Sequence, residues 1–176
     1  MRKLSVLVAL MLAAVSAPAM AMTSGQASCP IRLAPAGLAA FAADTVMDFD
    51  EGAVLDPKLE GELDQLTKNC IAREHVAADK QDDYVRYVMS ALISKEIKRR
   101  LEARGISTKV IDDAFEIGPG RRNPKSADLD EAAFEQAMRK MKAGGLDVAE
   151  LSDQSVKELS SYVVSAADMY RLAGSL

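Results

Sequence analysis

The sequence predicts an all-α fold, a compact bundle of about five or six short helices stapled by one disulfide. Three observations predict it. Apolar residues return every three or four positions through much of the chain, as at Leu59, Leu63, Leu66 and Cys70, and that spacing lays one stripe along a helix. Capping residues and glycines punctuate these runs at the places where helices start and stop. Aromatic residues make up only 5% and Trp is absent, so the core must rest on Leu, Ile, Val, Ala and Met, a set that favours helix over strand.

The elements follow in order. Arg2 and Lys3 precede an apolar run from Leu4 to Val15, and Ala19-Met20-Ala21 closes it with a small-x-small pattern. This is the layout of a secretory signal peptide over residues 1–21, cleaved after Ala21. A retained membrane anchor would need roughly twenty apolar residues, and this run is shorter and is followed by Pro18. Lipidation at Cys29 is disfavoured, because Gln26 stands where a Leu-like residue is needed.

Residues 22–36 hold Gly25, Pro30 and Pro35 among small polar residues and read as a late-ordering N-terminal leader tied down at Cys29. The single domain is expected over 37–176. Its first helix should span Leu38 to Phe49, with Leu38, Phe41, Thr45 and Val46 on one side. Asp56-Pro57 caps and starts the next helix, which places Cys70 on its buried stripe. After the polar break Lys80-Gln81-Asp82-Asp83, a helix carries Val85, Val88 and Leu92 on one face and Met89, Ile93, Ile97 and Leu101 on the adjoining one, until Gly105.

Ser107 or Thr108 caps a short helix with Val110, Ile111, Ala114 and Phe115, ended by Gly118-Pro119-Gly120. A polar, basic loop leads to Asp128 or Asp130, which opens a helix with Leu129, Ala133, Phe134, Ala137, Met138 and Met141, closed by Gly144-Gly145. Ser152 caps the last helix, which carries Val156, Leu159, Tyr162, Val163, Ala166, Met169 and Tyr170 and should stop just before Gly174. No heptad is sustained long enough for a coiled coil, and no repeat has a fixed period.

Cys29 and Cys70 are the only cysteines. In an exported protein one intramolecular pairing is expected. Closing a loop of about forty residues gives roughly 4 kcal/mol in the chain-entropy model. No C-x-x-C is present, which argues against a disulfide oxidoreductase.

Function is less legible than fold. Cleavage would remove Arg2 and Lys3 and move the net charge from −4 to about −6, which does not suit a protein that coats nucleic acid or anionic lipid. His75 is the only histidine, so no triad or zinc site can use several histidines from one chain; it is expected on the surface near a helix end. No G-x-S-x-G is present. A lysozyme-like hydrolase would need a carboxyl group in an apolar setting and aromatic residues to stack sugars, and neither is evident. Asp48 to Asp56 resembles a calcium loop, but Gly52 is one position early and Leu59 stands where the bidentate Glu belongs. Met138 and Met141 could suggest copper; without a supporting cluster they read as core. No cofactor or metal is expected.

Charge is unevenly distributed. Residues 44–64 are strongly acidic, with Lys58 alone opposing them. Lys98, Arg99, Arg100 and Arg104, with Lys95 nearby, make one helix end basic, and Arg121 and Arg122 follow in the loop. Three consecutive cations fan over more than half the helix circumference and are not expected all to pair with Glu96 and Glu102. Lys98, Arg99, Arg100, Arg104, Arg121 and Arg122 are therefore the candidate partner surface. The reading is a non-enzymatic, exported, protein-binding accessory factor of a bacterial-type cell envelope. Its expected partner is another envelope or secreted protein, without nucleic acid and without stable membrane insertion once the signal is cleaved. The alternative is a small periplasmic hydrolase that uses carboxylates.

Overall fold

A computed structural model describes residues 22–47 and 56–176. The expected signal segment and most of the calcium-like loop lie outside the described residues. The fold is all-α, with seven α-helices and no strand among the described residues. They are α1 (Ser24–Leu33), α2 (Leu38–Met47), α3 (Pro57–Glu74), α4 (Gln81–Ala103), α5 (Thr108–Phe115), α6 (Glu131–Ala143) and α7 (Asp153–Ser175). No helix among the described residues is long and apolar enough to cross a membrane.

The two longest helices, α4 and α7, each span 23 residues, about 35 Å at 1.5 Å per residue. They form the central pair. Helices α1, α2 and α3 pack on α4, and α5 links that layer to α6 and α7. The core is aliphatic: Leu59, Val88, Leu92, Ile97, Leu101, Ile111, Met141 and Leu172 are almost fully enclosed.

The caps on α3, α6 and α7 form as their residue types dictate. The Asp56 carboxylate accepts the Lys58 amide, Asp130 accepts that of Ala133, and Ser152 accepts that of Ser155. Gly105 takes the left-handed backbone after α4 at φ 78°. Two endings differ from expectation. Helix α5 stops before Gly118-Pro119-Gly120, because Glu116 itself turns left-handed at φ 58°. Helix α7 runs through Gly174 to Ser175. Helix α4 also begins inside the expected polar break, at Gln81, which leaves Asp82 and Asp83 in its first turn, where acidic charge favours the macrodipole.

The leader expected over 22–36 is corrected: most of it is helix α1. Thr23 and Gln26 form a reciprocal capping box. Pro30 lies inside this helix, where it removes one amide and crowds the carbonyl four residues back. That carbonyl belongs to Gln26, and the Tyr84 hydroxyl donates to it at 2.9 Å. The Tyr87 hydroxyl donates to the next carbonyl, Ala27, also at 2.9 Å. Tyr84 thus supplies the bond that Pro30 takes from the helix, and Tyr87 adds a second tie from α4 to α1. Burial pushes both hydroxyls up, Tyr87 to about 12, so both stay protonated donors.

Cys29 of α1 and Cys70 of α3 are joined, with their Cα atoms 5.8 Å apart and both side chains fully enclosed. The disulfide clamps α1 across the buried stripe of α3. Just before α1, the Met22 amide donates to the Ala173 carbonyl of α7 at 3.2 Å. In α2 the enclosed face is Leu38, Ala42 and Ala43, whereas Val46, expected to share it, is exposed. Small alanines allow α2 to approach α4 closely.

Candidate functional site

The six basic residues singled out in the sequence lie at the end of α4 and in the loop after α5. Each has an acidic partner within the chain. Glu96 is 8% exposed. Its carboxylate accepts from Arg99 through Nε at 2.9 Å and Nη2 at 2.7 Å, and from Arg100 through Nε at 2.8 Å. Arg100 also reaches across to Asp44 of α2 at 2.6 Å. The Arg99 hydrogen bonds, reinforced by Arg100, hold the Glu96 carboxyl down at about 2 against the opposing cost of burial. The Asp44 hydrogen bond is the main reason the Arg100 guanidinium is held more firmly charged.

Arg104 forms a two-pronged pair with Glu158 of α7, whose side chain is 1% exposed, and Gln154 donates to the same carboxylate at 3.1 Å. Lys98 lies 3.7 Å from Glu102, which also accepts from Thr108 at 2.8 Å. Arg121 meets Asp113 at 2.7 Å, and Arg122 lies 3.8 Å from Glu116. The expectation that Lys98, Arg99 and Arg100 could not all pair with Glu96 and Glu102 is overturned. One buried carboxylate takes both arginines, because residues three and four positions on share its helix face. This belt ties α2 to α4, α4 to α7, and the loop to α5.

The loop itself is ordered by Asn123, which is buried at left-handed φ 48°. Its side chain accepts the Gly118 amide at 2.8 Å and donates to the Gly118 and Arg121 carbonyls. His75 sits where expected, exposed at the end of α3, as the left-handed cap residue at φ 52°. It borders a recess of about 340 Å³ shared with Thr23, Asp79, Lys80 and Leu176, in which the Lys80 ammonium donates to the Ser175 carbonyl at 2.8 Å. Met141 is fully enclosed. Among the described residues no three His, Cys, Asp or Glu side chains converge as metal ligands.

Two features were not singled out in the sequence. The first is Asp112 of α5. Burial pushes its carboxyl upward, opposed by a 3.0 Å hydrogen bond from the Tyr162 hydroxyl. Its neighbour Asp113 is held below the usual carboxylate range by Lys109 and Arg121, so the two adjacent acids differ in environment.

The second is an apolar groove of about 460 Å³ between α3 and the first half of α4. Leu63 and Thr67 form its buried floor, and Ile71 and Met89 are half-buried along it. Val85 stands at its lip, 50% exposed, although its helical spacing matches core positions. Glu60, Asp64, Lys68 and Asp82 make the rim. Asp64 holds Lys68 at 2.7 Å, while Glu60 and Asp82 have no ion-pair partner among the described residues.

Among the described residues, fold and surfaces define a disulfide-clamped helical protein with a self-paired basic end and an apolar groove between α3 and α4. No protein-family model, curated protein or solved structure matches this chain.

Proposed function

We propose that this chain is an exported, non-catalytic accessory protein of a bacterial-type cell envelope, periplasmic or released. In this reading it binds another envelope or secreted protein in assembly, secretion or host interaction. The observation that carries the reading is the α3/α4 groove, an apolar surface that no described element covers. An apolar floor within a polar rim is the usual anatomy of a protein-binding surface. The signal-peptide layout supports export, and the buried Cys29–Cys70 bond suits an oxidising compartment. With its sulfur in that bond, Cys29 has no thiol left to carry a lipid thioether.

Two measurements test this. Mass spectrometry of the exported protein should find a chain that starts at Met22 and carries no acyl group; an acylated Cys29 would contradict export as a free chain. Affinity capture from the envelope should recover a partner at fixed stoichiometry from the native protein and not from Val85→Asp. Equal capture by both would remove the groove from the reading.

A second reading, a carboxylate-dependent hydrolase, is favoured by one observation, the half-buried Asp112 against Tyr162. It requires turnover of envelope fragments that disappears in Asp112→Asn while the fold is retained.

A further inference from the structure

We infer that the α3/α4 groove receives a basic amphipathic helix of its partner, an assignment that rests on the protein-binding reading above. Shape decides the form of the occupant. Along α3 the groove runs from Glu60 to Ile71, about 16 Å at 1.5 Å per residue. That is three helical turns, long enough for apolar anchors at i, i+4 and i+7 to enter side by side. An added strand would need an open sheet edge, and no strand exists among the described residues. A proline-rich segment would need an aromatic-lined groove, and no aromatic side chain lines this one. The mode that remains is a helix laid against two helices, its apolar face toward Leu63, Ile71, Val85 and Met89.

Charge decides the flanks. Lys68 is matched by Asp64, while Glu60 and Asp82 have no ion-pair partner among the described residues and leave the rim net negative. Glu60 stands toward the start of α3, and Asp82 lies in the first turn of α4. A helix seated between them is best served by Lys or Arg beside its apolar stripe. The chain's net charge of −4 steers such a segment inward, while Glu or Asp in those flanks would meet like charge.

The test uses the whole mature chain and two synthetic peptides of about 18 residues, long enough to cover the groove. Both carry the same Leu face; one is flanked by Lys and the other by Glu. Fluorescence anisotropy should show the Lys peptide binding the native protein at least about tenfold more tightly than the Glu peptide. The gap should narrow as salt rises from about 50 mM to about 500 mM. Val85→Asp should weaken the Lys peptide by about tenfold or more, since it buries a charge without a partner. The double variant Glu60→Lys with Asp82→Lys should reverse the preference, a readout that a merely unfolded protein could not give.

If both peptides bind equally and both are lost in Val85→Asp, the groove binds proteins but the basic-helix assignment is wrong. If the Lys peptide binds unchanged to Val85→Asp and to the double variant, it is held elsewhere by net charge and the assignment fails. If neither peptide binds, the assignment fails too. In the last two cases envelope capture decides the wider reading, which falls with the assignment if the native protein recovers no partner.

Discussion

The end of α4 and its beginning make opposite use of their side chains. At the end, a run of cations that looks available in the sequence is taken up within the molecule: Glu96 holds Arg99 and Arg100, Asp44 holds Arg100, and Glu158 holds Arg104. At the beginning, a valine that looks like core in the sequence stands half-exposed beside α3. The comparison teaches that a charged patch is defined by what remains after pairing. Likewise, an apolar stripe becomes a site only where the neighbouring helices fail to cover it.

The largest effect expected bears on the groove wall. Cys70→Ser should lower the unfolding free energy by about 2–5 kcal/mol in denaturant melts, because it releases α1 from α3. Free thiols in the non-reduced, denatured native protein would contradict the bond. Next comes the belt. Glu96→Gln should cost about 1–3 kcal/mol, the scale of hydrogen bonds to charged groups, since two guanidiniums lose a buried acceptor.

The pH dependence of the belt has a definite sign. The Glu96 carboxyl is depressed from 4.5 to about 2. Its contribution to stability is therefore fully present above about pH 4.5 and is lost as pH falls toward 2. Glu96→Gln should flatten that part of the profile. Asp112 acts with the opposite sign: burial raises it, so protonation of Asp112 favours the folded chain. An acid-stability curve unchanged by Glu96→Gln would break the contrast between the two regions.

Smaller still is Tyr84→Phe, expected to cost about 1–2 kcal/mol by orphaning the Gln26 carbonyl beside Pro30. The smallest effect separates the regions most cleanly. Val85→Asp and Arg99→Glu both alter exposed positions. Val85→Asp should stay within about 0.5 kcal/mol of native stability, as surface changes usually do. Arg99→Glu should cost more than that, because it sets a carboxylate against Glu96. Equal costs would mean that the belt contributes nothing at Arg99.

Much of the fold was legible because its signals are local. The caps at Asp56, Asp130 and Ser152 each lie next to the helix they start. The stripe Leu59, Leu63, Leu66 and Cys70 is enclosed as its spacing requires. Helix α1 was not legible, because Pro30 and Gly25 argue against a helix while the tyrosine that satisfies the carbonyl freed by Pro30 lies 58 residues from it in the chain. The pairing at Glu96 was partly legible: Arg99 and Arg100 stand three and four positions beyond it, a spacing that signals pairing. The Asp44 contact, 56 residues distant, carries no such signal. The setting of Asp112 is equally non-local, since the Tyr162 hydroxyl that donates to it lies 50 residues on. The groove was hidden because helical spacing places Val85 on a face without saying what packs there.

We propose that binding occurs at the beginning of α4 and that its basic end serves the fold. An amide-resolved NMR titration of the mature chain with the Lys-flanked helix peptide tests it most directly. Shifts should cluster at Leu63, Thr67, Ile71, Val85 and Met89 and leave Lys98, Arg99, Arg100, Arg104, Arg121 and Arg122 unmoved. Shifts centred on those six basic residues, or no shifts in the groove, would contradict it.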